Sequence, residues 1–193
     1  MENKETFSRE DLNAALHALE SGGLILYPTD TVWGIGCDAT NSEAVRKVYA
    51  LKRRDDAKAL ISIVDSNAKL DGLMREVPEM AYDLTELANE PLTIIYPNVT
   101  GLAPNLLAED GSAGIRVCSE PFCQALCLRF KRPIVSTSAN ISGMPTPSYY
   151  AEISEEVLQG VDYIVQYRRN DSTPHRASRI MKLDVDGTFT LIR

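Results

Sequence analysis

The sequence predicts one α/β domain, spanning residues 1–193 and built on a twisted, mixed sheet. Three observations carry that expectation. Short apolar runs of strand length alternate with stretches whose apolar residues recur at helical spacing. No internal repeat and no linker-like segment divides the 193 residues, a length that one ordinary core accommodates. At 44% hydrophobic and 24% charged residues, the chain is too apolar to remain disordered.

Each element has a local reason. Ser8 is placed to cap a helix whose Leu12, Ala15, Leu16 and Leu19 share a face, and Gly22-Gly23 ends it. Leu24 to Tyr27 is a short apolar strand stopped by Pro28. Ser42 is placed to cap a second helix carrying Val45, Val48, Tyr49 and Leu51, and Ala59 to Val64 reads as a buried strand. A helix is expected over Pro78 to Ala88 with Met80, Leu84 and Leu87 on one side, then a strand over Thr93 to Tyr96. After the loop Pro97 to Gly111, Gly114 to Cys118 is a strand. Pro121 starts a helix in which Phe122, Leu126 and Phe130 repeat every four residues. Ile134 to Ser136 is a strand running into a polar loop. The chain closes with a helix near Ala151 to Leu158 and strands at Tyr163 to Val165, Ile180 to Leu183 and Thr188 to Ile192. Asp186-Gly187 joins the last two strands as a hairpin.

Composition narrows the functional classes. The net charge of −7 lacks the broad basic face of a dedicated binder of long nucleic acid, while leaving room for a compact anion site. No apolar run reaches the roughly 20 residues of a membrane span. Met1 to Arg9 has no signal-peptide core, so a cytoplasmic protein with no membrane partner is expected. Cys37, Cys118, Cys123 and Cys127 form no CxxC pair and are far in sequence from His17 and His175. Cys123 and Cys127 share a helix face, as half of a metal site or, more simply, as buried thiols.

Three segments and two single arginines carry the chemistry. Tyr27-Pro28-Thr29-Asp30-Thr31-Val32-Trp33-Gly34-Ile35-Gly36 sets two hydroxyls and a carboxylate on a proline-stiffened turn at a strand end, suited to a small polar ligand and equally to a capped turn. Lys52-Arg53-Arg54-Asp55-Asp56-Ala57-Lys58 carries a local charge of +2. That suits either polyphosphate or the negative end of a helix. Pro133 to Gly143 runs from apolar strand into Ser136, Thr137, Ser138 and Asn140, short donors and acceptors fit for phosphate or a base edge. Arg116 lies within an apolar strand, where a charge needs an anionic partner, either a ligand or a structural carboxylate. Arg193 ends the last strand. No G-x-S-x-G elbow and few histidines argue against a Ser-His-Asp hydrolase.

In this order the residues resemble the YrdC/Sua5 family of threonylcarbamoyl-AMP synthases, in its short bacterial single-domain form. Tyr27 to Gly36 resembles its opening motif, Lys52-x-Arg54 its K-x-R element, Ser138-x-Asn140 its S-x-N element, and Gly114-Ile115-Arg116-Val117 its valine-arginine strand. The resemblance runs collinearly from about residue 10 to the end of the chain. It implies an open α/β sandwich, related to the RibB-type fold, with a concave, positively lined cleft.

The resemblance also implies a reaction. L-threonine, bicarbonate or CO2, and ATP give threonylcarbamoyl-AMP and pyrophosphate, with Mg²⁺ accompanying the triphosphate. The product would pass to downstream tRNA threonylcarbamoyl-transferase proteins that modify adenosine 37. By position, Thr31, Arg116 and Ser178 would bind threonine. Lys52 and Arg54 would be catalytic and, with Lys58, hold the phosphates. Ser112, Ser136, Ser138, Asn140, Thr146 and Arg193 would contact the nucleotide. The chain departs from the family pattern at Ala88-Asn89-Glu90-Pro91, where Pro-Gly-Pro is usual, at Arg179 after Ser178, and at Ile63, where some relatives carry histidine. The alternatives are an RNA-binding or ribosome-associated factor, for which double-stranded RNA is the expected target, and a nucleotide-binding inactive paralogue.

Overall fold

The computed structural model describes residues 6–54 and 60–193. Helix α1 (Arg9–Glu20) starts where the Ser8 hydroxyl accepts the Asp11 amide, and the chain leaves it through Gly22 at φ +70°. It leads into β1 (Ile25–Tyr27) and β2 (Gly34–Gly36). Helix α2 (Ser42–Lys52) is capped by Asn41, not Ser42: the Asn41 carboxamide accepts the Glu43 and Ala44 amides. An Asx cap reaches those first free amides, whereas Ser42 already has helical backbone. Arg53, at φ 48°, ends α2 in the left-handed conformation.

Strand β3 (Ile61–Val64), helix α3 (Glu79–Leu87), β4 (Leu92–Tyr96), β5 (Ala113–Val117), helix α4 (Pro121–Phe130) and β6 (Ile134–Ser138) follow. The expected helix over 151–158 is instead a 3-10 turn at Tyr150–Glu152 and a short α5 (Glu155–Gln159), separated by extended backbone at Ile153 and Ser154. Strands β7 (Tyr163–Ile164), β8 (Arg179–Leu183) and β9 (Phe189–Leu191) complete the chain, with Gly187 at φ +82° turning the last hairpin.

The nine strands form one sheet in the order β7-β1-β2-β6-β3-β5-β4-β8-β9. Pairs β1/β7, β3/β5 and β4/β8 are parallel and the rest antiparallel, so the sheet is mixed, as expected. Apolar residues cover both faces. Leu24, Leu26 and Ile35 meet Val45, Val48 and Tyr49 of α2 on one side. Ile25, Tyr27, Ile63 and Ile134 meet α1 and α4 on the other. All four cysteines are buried and free, and serve as core-filling thiols.

The sequence signal missed β2, because Gly34-x-Gly36 reads as loop. Only tertiary packing explains it: a Cβ on Gly36 would lie 2.6 Å from the Tyr27 ring and 2.8 Å from the Val135 carbonyl oxygen. Helix α3 also departs from expectation. Its buried residue is Ala81, while Met80 and Leu87 are exposed beside a groove that Met181 and Leu191 also line. None of the described helices is long and apolar enough to cross a membrane.

Candidate functional site

The site lies where one sheet face passes out from under a helix. Alternate residues of a strand share a face, so Ile134, Ser136 and Ser138 of β6 point the same way. Ile134 packs with α1 and α4, whereas Ser136 and Ser138 line an open cavity of about 250 Å³. On neighbouring β3 the same boundary falls between Ile63, level with Ile134, and Ile61, level with Ser136. Thus the change from isoleucine to serine along β6 marks the edge of the covering helix.

Arg116 stands on that face of β5, level with Ile63 on one side and Thr93 on the other. It is 2% exposed, and its Nη2 lies 3.1 Å from Oδ1 of Asp30, itself nearly buried. The two are close without hydrogen-bond alignment: Arg116 Nε and Nη2 and Asp30 Oδ1 have no hydrogen-bond partner among the described residues. Both alternatives left open by the sequence therefore hold in part. The pair offsets the buried charge, and two guanidinium donors still lack an acceptor, a costly state unless an anion arrives.

The turn after β1 brings the second wall. The Thr29 hydroxyl donates to the Val32 carbonyl at 2.7 Å and accepts the Thr31 amide at 3.0 Å. A hydroxyl has one proton, so in the 2.9 Å contact between the two threonines Thr31 donates and Thr29 accepts. Thr31 thereby turns only lone pairs towards the cavity it lines. Opposite, the Ser178 and Thr93 hydroxyls are 2.8 Å apart. Thr93 was not singled out from the sequence, although a threonine in the apolar run Leu92 to Tyr96, facing the same side as Arg116, was a readable signal. Asp30 was quoted in its motif without a role.

Of the residues assigned from sequence, Thr31, Arg54, Arg116, Ser136, Ser138, Thr146, Ser178 and Arg193 all line this cavity. Arg193 donates to the Ser178 carbonyl at 3.1 Å, drawing the chain end onto the cavity wall. Lys52 and Asn140 lie beneath the rim. Lys52 is 1% exposed, and its Nζ donates to the Ser138 and Asn140 carbonyls at 2.5 and 2.7 Å, tying the end of α2 to the loop after β6. Burial, and secondarily the Arg54 charge, pull its pKa down to about 8. The Asn140 amide nitrogen donates to the Ile141 and Met144 carbonyls, and its Oδ1 has no partner among the described residues. Ser112 does not line the cavity; its amide donates to Asp110, which pairs with Lys182. Lys58 lies outside the described residues.

Two of the departures meet: Arg179 and Glu90 form a 2.8 Å ion pair. Ile63 is fully buried in the α1–α4 core beside Arg116. Larger hollows occur elsewhere, about 500 Å³ between α3 and β8–β9 and about 580 Å³ near Pro97 to Thr100. Neither holds a buried charge without a partner. Chemistry therefore favours the smaller cavity.

Fold and site together define an α/β protein with a mixed sheet and a cavity lined by a buried guanidinium and several alcohols. The family model Sua5/YciO/YrdC, described as telomere recombination, matches residues 17–193, and the chain belongs to that family. It is 32% identical over 165 residues to the threonylcarbamoyl-AMP synthase of Photobacterium profundum, covering 81% of this chain and 86% of that one. It is 34% identical over 161 residues to the enzyme of the same name from Vibrio cholerae, covering 81% and 85%. P. abyssi Sua5 complexed with L-threonine superposes with a TM-score of 0.85 at 26% identity. That match covers 98% of this chain and 55% of the archaeal one, so the chain spans about half of that longer protein. E. coli YciO shares the fold, with a TM-score of 0.84 at 23% identity over 98% of this chain and 91% of YciO.

Proposed function

We propose that the protein is an L-threonylcarbamoyladenylate synthase, a nucleotidyltransferase that makes threonylcarbamoyl-AMP and pyrophosphate from L-threonine, bicarbonate or CO2, and ATP. One observation carries the reading: a buried Arg116 with two donors lacking acceptors, between Thr31 and Ser178, in the same cavity as Arg54 and the Ser136–Ser138 rim. The names of the relatives support it.

In this reading Arg116 takes the threonine carboxylate through charge-assisted bonds. Thr31, offering lone pairs, accepts from the ammonium or hydroxyl. The ammonium gives a proton to water, the amine lone pair forms the N–C bond to CO2 as one C–O π bond opens onto oxygen, and the nitrogen gives a second proton to water, leaving a carbamate. A carbamate oxygen then attacks the α-phosphate, a P–O bond forms there, and the bond to the β-phosphate bridging oxygen breaks to release pyrophosphate. No protein nucleophile takes part. The chain orients the two reactants and neutralises charge. Arg54 faces the phosphates, Ser136, Ser138 and Thr146 contact the nucleotide, and Lys52 fixes the loop after β6 while adding positive charge beneath it. Mg²⁺ enters as part of the ATP substrate. Among the described residues no carboxylate side chain lines the cavity, and the triphosphate and water would hold the ion. The product would pass to tRNA threonylcarbamoyl-transferase proteins.

The test is pyrophosphate release from ATP with threonine and bicarbonate present. Release that requires both co-substrates is expected. ATP turnover indifferent to threonine, or none at all with no threonine bound, would overturn the reading.

A further inference from the structure

Outside the residues considered so far, one side chain joins the two walls of the amino-acid half of the cavity. Arg168 is mostly buried, with a left-handed backbone at φ 61° that a non-glycine residue adopts only when its surroundings hold it there. Its Nη1 donates to the Thr29 carbonyl at 3.1 Å. Its Nε and Nη2 donate to Asp171 Oδ2 at 3.0 and 2.8 Å. Its Nη2 also lies 2.7 Å from His175 Nε2. Thr29 is the residue to which the Thr31 hydroxyl donates, and Asp171 to His175 belong to the strap that continues into Ala177 and Ser178 on the opposite wall. The strap begins from a fixed point, because Asp11 accepts the amides of Gln166 and Tyr167.

A guanidinium only donates, so in the 2.7 Å contact Arg168 Nη2 is the donor and His175 Nε2 the acceptor. Asp171 Oδ2 lies 3.7 Å from the same ring nitrogen. Glu120 at the start of α4 also feels the Arg168 charge, although burial dominates and holds its carboxyl above the usual range.

We propose that Arg168 is a positioning residue that staples the Thr29–Thr31 turn to the strap carrying Ser178, and that Asp171 and His175 hold it in place. The proposal rests on the threonine-binding reading of this cavity.

Calorimetric titration of the full chain with L-threonine, and separately with ATP, tests it. Arg168→Gln is expected to weaken threonine binding about tenfold or more, as loss of a charge-assisted contact does, with ATP affinity changed less than about twofold. Arg168→Lys should recover part of the loss. His175→Gln, whose side-chain oxygen can accept where Nε2 does, should bind threonine more tightly than His175→Leu, which offers no acceptor. Threonine affinity unchanged in Arg168→Gln, or equal in His175→Gln and His175→Leu, overturns the staple alone. No threonine binding by the wild type overturns the synthase reading beneath it.

Discussion

Replacing Arg116 with methionine keeps most of the side-chain volume and removes the guanidinium. Its donors are buried, and Nε and Nη2 have no hydrogen-bond partner among the described residues, so a bound carboxylate would be taken largely out of water at this point. Hydrogen bonds to a charged group contribute about 1.5–3 kcal/mol, which predicts a roughly 10- to 150-fold rise in threonine Kd. A second cost falls on the fold. Among the described residues Asp30 would keep the Ser119 amide, at 3.3 Å, as partner for a nearly buried carboxylate. Breaking a buried pair from one side costs about 3–5 kcal/mol. The Asp30→Asn, Arg116→Met double variant relieves that charge and should melt above Arg116→Met while binding threonine no better. Equilibrium titration gives the affinities and thermal unfolding the stabilities. Threonine affinity within twofold of wild type in Arg116→Met would refute the assignment. A double variant less stable than the single would refute the electrostatic account of Asp30.

Four further outcomes are expected. If the Lys52 charge serves the reaction, turnover falls as pH rises through about 8, and Lys52→Arg moves that limb upward in a pH–rate profile. In stability the sign reverses: with the folded pKa below the free value of 10.5, the unfolded chain binds more protons between about pH 8 and 10.5. Wild type should therefore gain on Lys52→Met across that window, by at most about 3 kcal/mol in denaturant titrations. Gly36→Ala should cost about 1–3 kcal/mol in the same titrations, because its methyl meets the Tyr27 ring and the Val135 carbonyl. The four thiols, all buried, should react with an aromatic disulfide reagent only as fast as the chain unfolds; rapid native labelling of Cys123 or Cys127, whose thiols burial pushes up, would contradict the packing.

Much of this was legible in the chain because local rules decide it. Helix α1 announced itself by its cap and apolar spacing, α4 by its N-terminal proline and apolar spacing, α2 by apolar spacing alone, and strands β1 and β5 by short apolar runs. What escaped depends on neighbours distant in sequence. Strand β2 is a strand because Tyr27 and Val135 press on either side of a residue without a side chain. Thr93 matters through a register that sets it beside Arg116. Arg168 and His175 were unremarkable in a polar stretch, and only folding carries Arg168 to the Thr29 carbonyl with His175 against its guanidinium.

The sequence alone determined the α/β class, the order of most elements and the identity of the alcohols and cations that line the cleft, since propensity, capping and motif order act within a few residues. Tertiary structure alone decided which of them converge. It put Lys52 under the rim rather than in the cavity and took Ser112 away to Asp110. It also left two donors of Arg116 without acceptors. Those outcomes follow from strand register and helix cover, which place an isoleucine or a serine on the same face according to where α4 stops.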